Sequence, residues 1–571
     1  MFRPLADTKT FAVTFSSILA ITVVPVLMLA LVRGRLRPEA DNPISRLFQA
    51  LYLPVIRWCL RHRKITIGVN VVFLLITLPL ALKLGSQFMP PLYEGSALYM
   101  PTALPGISVT AATDLLQKQD QIIKSFPEVE SVFGTVGRSN SATDNAPMDM
   151  YDTTIMLKPR STWPSGVTYD QLIAQMDAKL AFPGLSNSWT MPVKSRLDME
   201  LTGIKTPVGL KIQGPSLDEI QSIGNRIEEI LALVPGTRGV FAERVSQGFY
   251  VNIRVNREVA AQYGLTVGDV QNAISSGIGG ENVATALEGR ERYPINVRYL
   301  QDYRNDLDTL RRVLIMTPSG AQVPLGEVAR LDIASGPSMI RDEDAQLTGY
   351  AYLDLATSDY GGYVQRAQAA LDRQLRLPSG YSVKWSGEYE FQLRARKRLT
   401  VIFPIVFVVI FVLLYMLFRS TAEAAVLIFP TLYAMTGGLI LQYVMGFDFS
   451  VAVWVGYIAL FGIAVETGVV MVIYLHEALD RQKGAHELRH EDIEAAAIEG
   501  AVQRLRPKLM TVAVVMLSLA PILWESGIGS DVMKPIAAPI VGGMVTSTIH
   551  VLILVPVFFA MLKEKEVPGS S

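Results

Sequence analysis

The sequence predicts a polytopic membrane α-helical bundle of seven spans carrying a large α+β periplasmic domain built from ferredoxin-like βαβ subdomains. Three observations predict it. Half of the residues are apolar and the formal net charge is zero, yet 18% are charged, too many for a bare bundle in lipid. Seven stretches are long and apolar enough to cross a bilayer: 11–32, 65–83, 399–418, 422–445, 451–475, 508–525 and 534–562. Roughly 315 residues of ordinary globular composition separate the second stretch from the third.

Basic residues set the orientation, because short cytoplasmic loops collect Lys and Arg. They crowd the connection after the first stretch (Arg33, Arg35, Arg37, Arg57, Arg61, Arg63, Lys64). They recur at Arg419, at Arg481 through Arg506, and at Lys563 and Lys565. Alternation places all four sites on one side, the cytoplasm, so the large domain faces outward. The outward turn GFDFS and the segment ESGIGSD contain no Lys or Arg, as this topology requires. Segment 42–62 sets Leu47, Leu51, Val55 and Trp58 at helical spacing against Arg46, Arg57 and Arg61, the pattern of an amphipathic helix lying on the inner face. The first stretch lacks a small-residue cleavage site and is too long for a signal peptide.

The expected divisions follow: 1–33, a helix; 34–64, a cytoplasmic amphipathic helix; 65–83, a span; 84–398, the periplasmic porter and docking domain; 399–475, three spans; 476–507, a cytoplasmic helical segment; 508–562, two spans; 563–571, a cytoplasmic tail. Within the outer domain, strand-like runs such as TTIMLKP, PVGLKIQG and FYVNIRVN alternate with helical ones such as YDQLIAQMDAKL and LDEIQSIGNRIEEILALV. In AAQYGLTVGDVQNAI, Gly264 is placed to stop one helix, and Thr266 with Asp269 forms a capping box for the next. The first and last apolar stretches share a V-P-V around Pro25 and Pro556. Such an echo suggests a repeat unit, in which 1–33 would be the last helix of a preceding half.

Two groups of residues carry chemistry. Glu466 lies inside the run VAVWVGYIALFGIAVETGVVMVIYL, and an ionisable group at the bilayer centre costs about 3 kcal/mol on insertion scales, so it marks a functional candidate. Lys508, at the mouth of the next apolar run, is its candidate partner in a proton relay. The second group is methionine near acid in the outer domain: Met100, Met148, Met150 and Met199, with Glu94, Asp144, Asp149, Asp152 and Asp198 nearby in sequence. Thioethers are soft ligands that select Cu(I) or Ag(I). All five histidines and the lone Cys59 lie outside 84–398, which leaves no His/Cys zinc site there and no intramolecular disulfide anywhere. A methionine that fills an irregular core gap is the competing reading for each one. Glu423 and Asp448, at span ends, read as solvated.

The stretches LYMPTALPGIS, FGTVGRSNSATDNAPMDM, SRLDMELTGIKTPVGLKI, YGLTVGDVQ, ERYPINVRY, GYIALFGIAVETGVVMVIYL and RLRPKLMTVAV resemble the heavy-metal efflux branch of the resistance-nodulation-division transporters, specifically the CusA-type Cu(I)/Ag(I) pumps. The resemblance implies a proton-driven homotrimer in the bacterial inner membrane. Its partners would be a periplasmic adaptor (membrane fusion) protein and an outer-membrane channel protein, with no nucleic acid and no cofactor beyond the transported ion. It implies three metal-binding methionines, Met100, Met150 and Met199, cleft charges at Glu94, Asp144, Asp152, Arg196 and Lys205, and a relay at Glu466 and Lys508. Asp152 stands where the family motif has Glu, a shorter arm with the same charge. The divalent branch tends to carry Asn where Glu466 stands, which favours the monovalent reading. The family has twelve spans and two periplasmic halves, so the chain is expected to correspond to the second half only.

Two further readings stay open: a divalent (Co/Zn/Cd) efflux permease, and a non-transporting, membrane-anchored metal-binding fragment. No enzyme is expected, on the reading that the chain carries no G-x-x-x-x-G-K-[ST] loop, no paired-histidine metal-hydrolase motif and no nucleophile elbow.

Overall fold

The computed structural model describes residues 3–32, 42–90, 92–137, 147–337, 339–483, 489–525, 527 and 529–565. Among them, seven helices are long and apolar enough to cross a membrane: Ala6–Leu31, Arg63–Lys83, Glu388–Phe418, Thr421–Val444, Val451–Lys483, His490–Trp524 and Ser530–Glu564. Several outrun their apolar stretches. The Glu388 helix begins eleven residues before the stretch at 399, and the His490 helix eighteen before that at 508. Hydropathy ends where charges begin, but the i to i−4 backbone ladder continues through Glu, Arg and Lys, which are good helix formers.

The Ser530–Glu564 helix is the centre of the bundle, with most of its length buried against the Thr421–Val444, Val451–Lys483 and His490–Trp524 helices. Small residues permit that approach. A Cβ at Gly437 would lie 2.2 Å from the Gly542 carbonyl oxygen, and one at Gly542 would lie 2.3 Å from the Gly437 oxygen. Lipid offers no hydrophobic drive between helices, so close backbone contact and the Thr546 hydroxyl, which donates toward Ala434 O (3.2 Å) and accepts from Gly437 N (3.2 Å), hold this seam. Gly542→Val is therefore expected to lower the thermal unfolding midpoint of the purified protein, with a cost of about 1–3 kcal/mol because only backbone could yield. Gly462→Ala, which meets open space, is the control and should change little.

Asn42 caps the Pro43–Arg61 helix through its side chain, which accepts from Ile44 N (3.0 Å). Ile56, Cys59 and Leu60 pack into the bundle, while Leu47, Leu51, Val55 and Trp58 form an exposed apolar strip. That division suits a helix lying between protein and lipid.

Between the second and third long helices lie two α/β units of the same plan. In the first, Ser96–Tyr99, helix Val109–Lys124, Val129–Val136, Tyr151–Leu157, helix Tyr169–Lys179 and Trp189–Thr190 follow one another as β-α-β-β-α-β. The strands align in the order second, third, first, fourth, with every pairing antiparallel. The second unit repeats that order with Val208–Gly214, helix Leu217–Ala232, Thr237–Ala242, Gln346–Leu355, helix Tyr360–Gln374 and Ser382–Gly387. Its two halves are separated by an insertion, 248–336, with its own apolar core around Leu265, Val270, Leu325 and Leu331. The insertion contains the capping box read from sequence: Thr266 and Asp269 bond reciprocally, and Gly264 before them has φ +69°.

Candidate metal-binding site

Met100 follows directly on the Ser96–Tyr99 strand. Its N–H bonds to Ser188 O (2.9 Å), and its carbonyl accepts from the Lys205 ammonium (3.0 Å). Beyond it, Tyr151 N donates to Pro101 O (3.1 Å) and Ala103 N to Asp149 O (2.8 Å), so Thr102 stands opposite Met150 in an antiparallel bridge. Side chains alternate along extended chain, and facing residues share a side, so this pairing sets Met150 on the same side as Thr102 and Met100.

Met199 comes from the helix Pro192–Thr202. Proline at its first position has no N–H to satisfy, and the next two N–H groups, of Val193 and Lys194, donate to the two Glu94 carboxylate oxygens (2.8 and 2.9 Å). Glu94 thus holds the helix end as an anionic cap, a more specific task than a cleft charge. Gly203, at φ +79°, terminates the helix in the left-handed conformation, and its N–H returns to Met199 O (2.8 Å). One turn inside the helix, the Ser195 hydroxyl lies 3.4 Å from Met100 Sδ and 3.6 Å from Met199 Sδ. The structure therefore joins two of the three methionines through a buried serine, a residue that sequence reasoning passed over because serine carries no signal of its own. Met100 and Ser195 are buried; Met150 and Met199 are half-buried.

The charged neighbours differ in role. Lys205 is buried, with its ammonium also on Thr102 Oγ1 (2.7 Å) and 5.0 Å from the Tyr352 ring centre. Burial pushes it down to about 8, against the pull of Glu243 and Asp149. Burial also pushes the Asp149 carboxyl up. Arg196 is exposed, and Asp152 is half-buried in the strand opposite Thr135. Asp198 is buried and paired with Lys194 (2.7 Å). Asp144 lies outside the described residues. A cavity of about 20 Å³ between the two α/β units is lined by Thr102, Ser188, Lys205, Tyr352 and Asp354 among others.

In the helical bundle, Gly500 packs on the backbone of Tyr474 and Leu475 in the antiparallel neighbour. Eight residues after Gly500 comes Lys508 and eight before Tyr474 comes Glu466, which sets the two at one level of the antiparallel pair. Lys508 is fully buried and its ammonium has no hydrogen-bond partner among the described residues. Glu466 is exposed and does not form an ion pair with it. Glu423 corrects the solvated reading. It is buried and clasped by His476 Nε2 (3.0 Å) and Lys563 Nζ (2.8 Å), tying together the ends of three helices. Asp448 is half-buried and accepts from Gly85 N (3.0 Å) and the Ser358 hydroxyl. The expected absence of a paired-histidine hydrolase motif is corrected by the sequence itself: His486 to His490 reads H-E-L-R-H, that spacing. That chemistry needs both histidines on one helical face. His490 is the first residue of its helix and 484–488 lie outside the described residues.

The sequence model of the AcrB/AcrD/AcrF family matches residues 1–563. The cation efflux system protein CusA of Escherichia coli (strain K12) is 42% identical over 565 residues, covering 98% of this chain and 54% of CusA. The cobalt-zinc-cadmium resistance protein CzcA of Cupriavidus metallidurans is 30% identical over 574 residues, covering 99% and 53%. The crystal structure of a heavy metal efflux pump superposes with a TM-score of 0.82 at 30% identity, covering 92% of this chain and 53% of that one. The chain thus spans about half the length of the curated relatives it matches. With a fold that superposes on such a pump and a family match over nearly its whole length, this chain belongs to the AcrB/AcrD/AcrF family.

Proposed function

We propose that the chain is a permease subunit, or part of one, for proton-driven export of the monovalent soft ions Cu(I) and Ag(I). The observation that carries the reading is the convergence of Met100 and Met199 on Ser195, with Met150 across the strand. Three neutral thioethers are a poor set for Zn(II) or Co(II), which prefer imidazole, thiolate or carboxylate, and a good one for a soft monovalent ion. The greater identity to CusA than to CzcA points the same way.

The rest of the reading follows from the family. Seven membrane spans in an inner membrane hold the α/β units in the periplasm, and the repeated β-α-β-β-α-β order supports their ferredoxin-like assignment. The working assembly is a homotrimer with an adaptor protein and an outer-membrane channel. Glu466 and Lys508 carry the proton whose binding biases one conformer over another. Protons and metal drive the cycle only through their differential affinity for those conformers.

The test is Ag(I) and Zn(II) titration of the purified full chain in nanodiscs, for the wild type and for Met100→Ile, Met150→Ile and Met199→Ile. Ag(I) is expected to bind, Zn(II) to bind far more weakly, and each substitution to weaken Ag(I) by about tenfold or more, the loss of one soft donor in three. Equal Ag(I) affinity in all four proteins would show that these methionines are core side chains.

A further inference from the structure

The methionine helix is gripped from the membrane side by a residue that no motif singles out. Lys194 occupies its first turn, with its main-chain N–H on Glu94, and its ammonium is shared between Asp198 Oδ2 (2.7 Å) and the Glu388 carboxylate. Glu388 is the first residue of the 31-residue helix Glu388–Phe418, one of the seven long enough to cross a membrane. Its carboxylate is buried, and its second oxygen, Oε2, has no partner among the described residues. Just before it, Gly387 sits at φ +89° with its α-carbon wedged against Pro207; an added Cβ would lie 2.6 Å from the Pro207 carbonyl oxygen. The start of the membrane helix therefore touches both sides of the site, the methionine helix through Lys194 and the segment just after Lys205 through Gly387. On the other flank, Tyr93, beside Glu94, donates its N–H to Asp531 in the first turn of the Ser530–Glu564 helix (3.2 Å).

We propose that Lys194 is a positioning residue that couples the Glu388–Phe418 helix to Met199. A shift of the membrane helix drags the Lys194 ammonium and, through Asp198 and the shared helical turn, moves Ser195 and Met199 relative to Met100. The gap between the thioethers, and with it the affinity for a soft monovalent ion, is then set from the membrane. By reciprocity, closing the thioethers on an ion pulls on Glu388. An ammonium between two buried carboxylates suits the task because neither contact survives a large displacement without exposing an unpaired charge. This inference rests on the metal-binding reading of Met100 and Met199.

The test is hydrogen exchange of amides 388–396 in the full chain in nanodiscs, with and without Ag(I), beside Ag(I) titration of the same samples. In the wild type and in Lys194→Arg, Ag(I) is expected to change exchange of this segment by about fivefold or more, the lower range of allosteric coupling. Glu388→Gln should still bind Ag(I) while losing that response, and Lys194→Gln should lose it too. A salt bridge with a merely structural role would raise exchange in the variants equally with and without Ag(I), leaving the Ag(I)-dependent difference intact; that result overturns the coupling. Binding without any response in the wild type overturns it as well. No Ag(I) binding by the wild type would instead overturn the metal-site reading, and this one with it.

Discussion

Lys508→Met is expected to raise the thermal unfolding midpoint of the purified protein while abolishing the proton-linked export proposed for the chain. The two effects have one cause. Lys508 is fully buried within an apolar helix and its ammonium has no hydrogen-bond partner among the described residues. Enclosing an unpartnered ammonium in protein costs several kcal/mol, and methionine keeps most of the side-chain volume without the charge. Stability should therefore rise by about 2 kcal/mol. If the cost is retained because Lys508 and Glu466 hold the transported proton, the stabilised variant must be inactive. Glu466→Gln should be equally inactive but little changed in stability, because Glu466 is exposed where Lys508 is enclosed. The measurements are a thermal melt and pH-gradient-driven Ag(I) movement in proteoliposomes active with the wild-type protein. A Lys508→Met protein that still exports would end the relay assignment, and one that is inactive because it melts earlier would point to structure alone.

The contrast between these two residues shows what a sequence carries. The apolar stretches were legible because hydropathy is local, and so was the alternation of strand and helix, including the Thr266 capping box. What pairs with what was not. The second α/β unit joins Val208–Gly214 to Gln346–Leu355 across the whole 248–336 insertion, and nothing near either strand announces the other. The site divides along the same line. The methionines and acids stood out by type, but Glu94 became a helix cap only once Val193 and Lys194 were placed against it. Ser195, which joins two methionines, and Lys194 with Glu388, which joins the site to a membrane helix, depend on contacts between distant segments. Glu423 misled because a helix-end acid is usually solvated, whereas here His476 and Lys563 arrive from other helices to enclose it.

The second large effect is a pH dependence set by Lys205. Its side chain is buried behind Met100, and burial pushes it down to about 8, only partly offset by Glu243 and Asp149. The unfolded chain keeps the ordinary lysine value of about 10.4, so between about 8 and 10.4 the unfolded state binds more protons than the folded one, and stability rises with pH across that window. Below pH 8 the ammonium is charged in both states and its burial costs stability in full; above 10.4 the cost is gone. Lys205→Met should accordingly be more stable than the wild type at pH 7, with the difference shrinking through the window. Metal binding should move in parallel. An ammonium held on the Met100 carbonyl repels a cation seated on the Met100 sulfur, and loss of that charge is worth on the order of 1–2 kcal/mol, roughly tenfold in affinity. Ag(I) affinity of the wild type is therefore expected to rise about fivefold from pH 7 to pH 9, since a group titrating at about 8 is only partly switched between them, while that of Lys205→Met, lacking the charge, stays flat and high. Titration of both proteins at the two pH values decides it. A wild-type affinity that does not change, or a variant that tracks the wild type, would show that Lys205 serves only to hold the Met100 carbonyl and Thr102 in place.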